Sequence, residues 1–399
     1  MYSRGILFLF FILPGYMNAQ PGFNRIYGIY GVDLFARLIV DADTIFCFGV
    51  AYDTANLPSP LQVQMVKMDS SGNVVKSRLY KDPHNDFLGM DFLFGEVIKT
   101  SKGYFAFPVV AFNRAGYLWI QVDRNLEVKA ISEFQSPNDN TIFDEAIIEM
   151  PDTGFLIVGH TSQPNLKKDG FIRRVDKNGK LLWFKYYGDY GDDESFRDIV
   201  KVSDNKFVLC GSVGPSSNEP ISARAGLWVI DSNGTVLQTW IGPESPDLTT
   251  IKGIIMTIDG GFVAHGRIYL GEGPWGSRVQ ACVMKFSADL KLEWLKPVGP
   301  TTTQYNDFLD MIQTPDGHYL VAGERTAYGD LTQPSSGDWG GWLFKFTEQG
   351  DSLWARADNA PPGYKSTGEF VYGGVGLLSS GNIVAGGKGD VNDNFVGWV

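Results

Sequence analysis

Side chains capable of chemistry are scattered along this chain. The four histidines, His84, His160, His265 and His318, share no H-x-x-x-H or comparable ligand spacing, and three lie at or beside apolar strand motifs. That pattern gives no ground for a transition-metal site. Acidic residues fall together at Asp144-Glu145 and Asp193-Glu194 and again at Asp307. Hydrolysis requires paired carboxylates, or a nucleophile beside a base, and a single catalytic pair is asymmetric. Recurrence of acids from repeat to repeat points instead to a structural turn role. Asp189-Tyr-Gly-Asp-Asp-Glu194 offers oxygen ligands for calcium but lacks a complete loop signature. No metal and no cofactor are expected. Cys47, Cys210 and Cys282 are odd in number and dispersed, and Cys47 and Cys210 lie inside apolar strand motifs, where a buried inert thiol is expected.

The elements that must position these groups show a strong repeat. An apolar strand closing on glycine recurs as Ile45-Phe-Cys-Phe-Gly49, Phe155-Leu-Ile-Val-Gly159, Phe207-Val-Leu-Cys-Gly211, Phe262-Val-Ala-His-Gly266, Tyr319-Leu-Val-Ala-Gly323 and Asn382-Ile-Val-Ala-Gly386. Tyr104-Phe-Ala-Phe-Pro108 fills the same slot with proline at its end. The copies lie 51 to 63 residues apart. A second motif, strand-turn-strand, recurs around Asp69, Asp123, Asp176, Asp231, Ser287 and Thr347. There the side-chain oxygen opens the turn, and glycine in most copies closes it. Trp183, Trp294 and Trp354 follow three of these turns at one offset and are expected to pack between neighbouring units.

Each cycle therefore predicts four strands, which is a propeller blade. The reading is an all-β, seven-bladed β-propeller of four-stranded antiparallel blades. Asn394-Phe-Val-Gly-Trp-Val399 matches a third strand, and Phe23-Asn-Arg-Ile-Tyr-Gly28 matches the fourth-strand segment Trp183-Phe-Lys-Tyr-Tyr-Gly188. The last blade is then closed by strands from both termini, leaving no open edge.

Composition agrees with this class and limits the partners. Of 399 residues, 44% are apolar and 14% aromatic, with forty-seven glycines, as a protein of many short strands and sharp turns needs. A formal charge of −11 argues against a nucleic-acid partner, because phosphate binding needs a basic surface. Arg4 followed by the apolar run Ile6 to Leu13, then Pro14, Gly15 and Ala19, reads as a signal peptide over residues 1–19, cleaved after Ala19, with residues 20–399 as one domain. The apolar run is too short to cross a bilayer, no later stretch qualifies, and no cysteine near Ala19 offers a lipoprotein anchor. A secreted, periplasmic or cell-surface location follows.

Residues 169 to 213 carry the repeat most fully. They resemble the glycine-anchored propeller repeats of proteins exported by bacteria with a type IX secretion system. That resemblance implies an architecture and an export class. The repeat also resembles the tryptophan-docking motif of quinoprotein dehydrogenases. It departs from that motif in blade number, in lacking a vicinal cysteine pair, and in lacking the consensus turn threonine.

Propeller geometry gathers the loops joining second to third strands, and the blade connections, on one face. These carry Tyr52, Tyr190, Tyr269, Trp275, Tyr305, Tyr328, Trp339 and Tyr364. Aromatics on loops above a rigid scaffold suit a glycan, peptide or protein partner. The expectation is a non-catalytic binding or scaffold protein. The alternative is a propeller-class hydrolase, lyase or quinoprotein with acidic residues at the channel mouth.

Overall fold

The computed structural model describes residues 25–399 apart from 54–60, 83, 85–87, 90–95, 112–115, 136–140, 163–168, 189–191, 216–222, 244–246, 274–275, 300–304, 327–338, 359–365 and 392–393. The expected signal peptide therefore lies outside the described residues. Among the described residues every regular element is a strand, and no helix is long and apolar enough to cross a membrane.

In chain order the strands are β1 (Ile26–Tyr27), β2 (Gly31–Asp41), β3 (Thr44–Asp53), β4 (Gln62–Met68), β5 (Val74–Tyr80), β6 (Leu88–Gly89), β7 (Ile98–Lys99), β8 (Phe105–Ala111), β9 (Gly116–Val122) and β10 (Val128–Gln135). They continue as β11 (Thr141–Glu149), β12 (Phe155–Ser162), β13 (Gly170–Val175), β14 (Leu181–Tyr187), β15 (Asp192–Ser203), β16 (Lys206–Pro215), β17 (Arg224–Ile230), β18 (Val236–Ile241), β19 (Leu248–Met256) and β20 (Phe262–Gly273). The last are β21 (Gly276–Phe286), β22 (Leu292–Pro297), β23 (Asn306–Gln313), β24 (Tyr319–Thr326), β25 (Trp339–Phe346), β26 (Ser352–Asp358), β27 (Ser366–Leu377), β28 (Ile383–Val391) and β29 (Asn394–Trp398).

Six four-stranded antiparallel blades result: β2 to β5, β11 to β14, β15 to β18, β19 to β22, β23 to β26, and β27-β28-β29-β1. The expected count of seven four-stranded blades is thereby corrected to six. Residues 88–135 form a sheet of five strands, in which the short β6 and β7 both pair with β8.

The anchoring glycines account for both the regularity and the exception. Opposite each of them the first strand of the blade carries a β-bulge. The register skips Ala36, Glu145, Arg197, Lys252, Leu309 and Gly373 as β2, β11, β15, β19, β23 and β27 pass Gly49, Gly159, Gly211, Gly266, Gly323 and Gly387. The bulge drives a first-strand carbonyl into the space where a Cβ would stand. Leu34 O, Ser195 O and Asp307 O lie 1.7, 1.8 and 2.1 Å from such an atom on Gly49, Gly211 and Gly323. Only glycine fits. In the last blade that residue is Gly387, one place beyond the expected Gly386. Pro108 has neither the open space nor an N–H. There the first strand is divided, with Ile98 pairing Ala106 below and Leu88 pairing Ala111 above.

The core lies between blades. Phe46 and Phe48 of β3 meet Phe105 and Phe107 of β8, with Phe46 and Phe105 centroids 4.5 Å apart and Phe48 and Phe107 5.9 Å apart. Each such ring contributes about 1.5–3 kcal/mol of burial. The outer strands lock to the next blade through its turn. Tyr80 Oη donates to Leu126 O at 3.0 Å, and Tyr187 Oη donates to Gly234 O. Trp183 and Trp294 pack against the turn glycines Gly234 and Gly350, whose Cβ positions lie 2.9 and 2.8 Å from the rings. Trp354 differs. Its neighbouring blade joins β29 to β1 with no turn between them, and its ring stays 36% exposed.

β1 pairs with β29 through Ile26↔Trp398 and Tyr27↔Gly397, and Arg25 N and Val399 N exchange bonds with each other's carbonyls. Tyr27 Oη then donates to Gly72 O at 2.7 Å, the same kind of contact that Tyr187 makes with Gly234.

Candidate functional site

The bulges turn a row of first-strand side chains toward one another. Arg197 Nη1 donates to Glu145 Oε1 at 2.5 Å, and His160 Nδ1 approaches the same oxygen at 3.1 Å. Lys252 Nζ donates to Asp307 Oδ2 at 2.5 Å, and Arg267 donates to that carboxylate and to Tyr305 Oη. Arg173 pairs with Asp144 at 2.5 Å. Burial pushes the Asp144 carboxyl up to about 6 against the pull of Arg173. Asp307 is fully buried, yet Arg267 and Lys252 outweigh its desolvation and hold it down at about 2.

Asp144, Glu145 and Asp307 were expected to mark one recurring turn slot. They occupy three different positions relative to the bulge, on strands, and each carries a cationic partner. The reason is that the bulge changes which residue faces inward, which spacing alone does not reveal.

Two further carboxylates do share a slot. Asp198 Oδ1 accepts from Ile199 N at 2.7 Å, and its Oδ2 accepts from Ile254 N of the next blade at 2.8 Å. Asp310 repeats this with Met311 N and Val375 N, both at 2.8 Å. Each staples its blade to the neighbour. Arg37 holds the last blade by donating to Gly373 O at 2.9 Å.

These residues enclose a cavity of about 190 Å³ lined by Arg37, Glu96, Arg197, Asp198, Lys252, Gly253, Ile254, Ile255, His265, Leu309, Asp310 and Met311. A second, of about 380 Å³, shares Arg37, Glu96 and Asp310 with it. Glu96 comes from the irregular sheet region and so breaks the repeat. Burial first, then the negative charge of Asp198, raises the Glu96 carboxyl to about 8, and burial likewise raises Asp198 to about 7. A carboxyl raised in this way stabilises the fold fully below its unfolded value near 4.5, and loses that contribution as pH rises through about 8. Urea midpoints measured from pH 5 to 9 should therefore fall toward the alkaline end. Glu96→Gln should flatten that fall, and an unchanged slope in the variant would show that Glu96 is not its source.

The loop aromatics are placed unevenly. Tyr52 is 36% exposed at the end of β3. Tyr269 is buried, with its hydroxyl donating to Glu272 Oε1 at 2.7 Å. Tyr305 belongs to the Arg267–Asp307 cluster, and Arg267 stacks on its ring 5.0 Å from the centroid. Trp339 opens β25, and its side chain is outside the described residues. Tyr190, Trp275, Tyr328 and Tyr364 also lie outside them, as does the start of the acidic segment 189–194, whose Asp192 to Glu194 continue into β15. Among the described residues no group of three or more histidine, cysteine or acidic side chains is arranged to hold a metal. Cys47, Cys210 and Cys282 are buried free thiols.

Sequence reasoning passed over Arg37, Glu96, Arg197, Asp198, Lys252 and Asp310, and weighed His265 only as a metal ligand. One signal was present: Asp198 and Asp310 stand the same thirteen residues before their anchoring glycines, Gly211 and Gly323.

No family model and no curated protein matches this chain. Among solved structures it is similar to the GH93 α-L-arabinofuranosidase of Fusarium graminearum in complex with arabinobiose, at a TM-score of 0.48 and 9% identity, over 77% of this chain and 91% of that one. A mutant of Synechocystis apocarotenoid oxygenase gives 0.48 and 10%, over 94% and 89%. Polysaccharide lyase Uly1 gives 0.47 and 8%, over 92% and 89%. Similarity at this level assigns neither activity nor ligand, so the functional reading rests on the chain's own residues.

Proposed function

We propose that this chain is an exported, non-catalytic binding propeller, in which the six blades and the five-stranded sheet form one ring closed by β1 on β29, and whose long-loop face takes a glycan, peptide or protein partner. The observation that supports it is the engagement of the channel acids. Asp198 and Asp310 staple blades through two backbone N–H groups each, and Asp144, Glu145 and Asp307 are matched by cations. Carboxylates committed in this way serve structure, whereas hydrolytic chemistry needs a pair able to trade protons. The secretory reading of residues 1–19 and the likeness of residues 169 to 213 to type IX-exported repeats support export to the periplasm or cell surface. Glu96 favours the enzyme alternative, because a raised carboxyl in a channel is what a general acid requires.

One experiment tests these readings. Residues 20–399 and 29–399 are purified and heated with a panel of oligosaccharides, and the mixtures are analysed for products by mass spectrometry. An oligosaccharide at one hundred times its dissociation constant adds about 2.7 kcal/mol. The expected result is such a shift without product, weakened by Tyr52→Ala, and a markedly lower midpoint for residues 29–399. Turnover lost in Glu96→Gln would overturn the non-catalytic reading, and equal midpoints for the two proteins would overturn ring closure.

A further inference from the structure

His265 fills a slot that neighbouring repeats give to apolar or thiol side chains. The residue before the anchor is Phe48, Phe107, Val158, Cys210, Ala322 or Gly386 elsewhere. The imidazole is 1% exposed and meets Phe308 edge-on at 6.3 Å, yet among the described residues its Nδ1 is buried without a hydrogen-bond partner. Opposite it on the first strand stands Gly253. A Cβ there would lie 2.2 Å from His265 Nε2. The equivalent position carries Arg37, Ala146, Asp198 or Asp310 in four other blades and a second glycine, Gly374, in the last, where its partner is Gly386 and not a ring. Gly253 thus makes room for the imidazole, whose Nε2 lies over it beside the 190 Å³ cavity that both residues line.

The chemistry of that wall selects a ligand class. Burial, then the charge of Lys252, lowers the imidazole to about 3, so at neutral pH the ring is uncharged and offers one donor and one acceptor. Nδ1 is closed off from the cavity, so Nε2 is the nitrogen that a ligand there would meet. Of the cations around it, Arg197 meets Glu145, Lys252 meets Asp307, and Arg37 donates to the carbonyls of Ala36 and Gly373. A charged ligand would shed its water against side chains already engaged by the protein. Hydroxyl groups both donate and accept, and they fit a wall that carries cationic side chains, carboxyls and an imidazole.

We propose that this cavity binds a small polyhydroxylated molecule, a monosaccharide or polyol, with the His265 imidazole, seated over Gly253, as the hydrogen-bonding group. The site goes beyond the loop-face reading and stands apart from it, so Tyr52→Ala should leave it intact.

Isothermal titration of residues 20–399 with pentoses, hexoses and inositol, and with glycine betaine and sulfate as zwitterionic and anionic probes, tests the assignment. One hydroxylated probe should bind at a single site, and His265→Phe should weaken it at least about tenfold. Phenylalanine is chosen because Phe48 and Phe107 occupy the same slot. In the unmodified protein the imidazole nitrogen resonances of His265 should shift with the same probe, a readout that does not depend on the variant folding. The proposal is overturned if no hydroxylated probe binds at millimolar concentration, leaving ordered water as the occupant. Binding of betaine or sulfate instead overturns it, as does sugar binding that neither His265→Phe nor the His265 resonances register.

Discussion

Asp307→Leu should destabilise the protein by about 3–5 kcal/mol, read as a fall in the guanidinium midpoint, because it leaves the buried Lys252 and the half-buried Arg267 without their counter-charge. Asp307 is fully buried, and the Lys252 side chain that it meets is 3% exposed. Removing one partner of such a cluster leaves the full cost of the other's desolvation. The exposed cluster of Lys76 and Arg78 on Glu127 supplies the contrast, with side chains 36% to 50% exposed. Glu127→Gln should change stability by no more than about 1 kcal/mol. Equal effects from the two substitutions would show that the Asp307 site is hydrated and not part of the packed wall. The same carboxylate gives an acid limb. Its folded value near 2 lies below the ordinary 3.8, so its contribution is fully present above about pH 4 and is lost as the pH falls toward 2. That limb should vanish in the leucine variant. The acid limb from Asp307 and the alkaline limb from Glu96 have opposite signs, so they are separable in one pH series.

Gly211→Ala should cost about 3 kcal/mol or more, although alanine is ordinarily the mildest replacement. The new methyl would lie 1.8 Å from Ser195 O, and a backbone carbonyl cannot rotate away as a side chain can. Relief requires the β15 bulge to open, which moves Arg197 and Asp198 together and breaks the Asp198 bond to Ile254 N. Gly28→Ala is the control, since nothing lies within 4 Å of its Cβ position. Its midpoint should stay within about 0.5 kcal/mol of the parent. If both substitutions are silent, the glycine anchors do not set the bulges. The chain already contains a partial version of the experiment, because Pro108 occupies an anchor slot and the first strand beside it is split into β6 and β7.

What the sequence determined by itself was local and periodic. Alternating apolar residues ending on glycine, and Asp-x-x-Gly turns, each act within a few residues, and they place β3, β12, β16, β20 and β24 and the turns at Asp69, Asp176 and Asp231 where they are found. Even the two non-glycine exceptions among those turns hold, with Leu126 and Leu290 taking left-handed φ values of 65° and 57°. The likeness of residues 23–28 to 183–188 has its counterpart in Tyr27 and Tyr187, which donate to corresponding turn carbonyls. The cavity was decided by tertiary structure alone. Arg37, Glu96, Asp198, His265 and Asp310 come from separate sheets, and Arg37, Asp198 and Asp310 each follow a single skipped residue in their first strands. A bulge reverses the alternation of faces without changing composition or period. The chain therefore announces its blades but not the chemistry they enclose, because that chemistry depends on strand register across repeats and on Gly253 leaving room for the His265 ring.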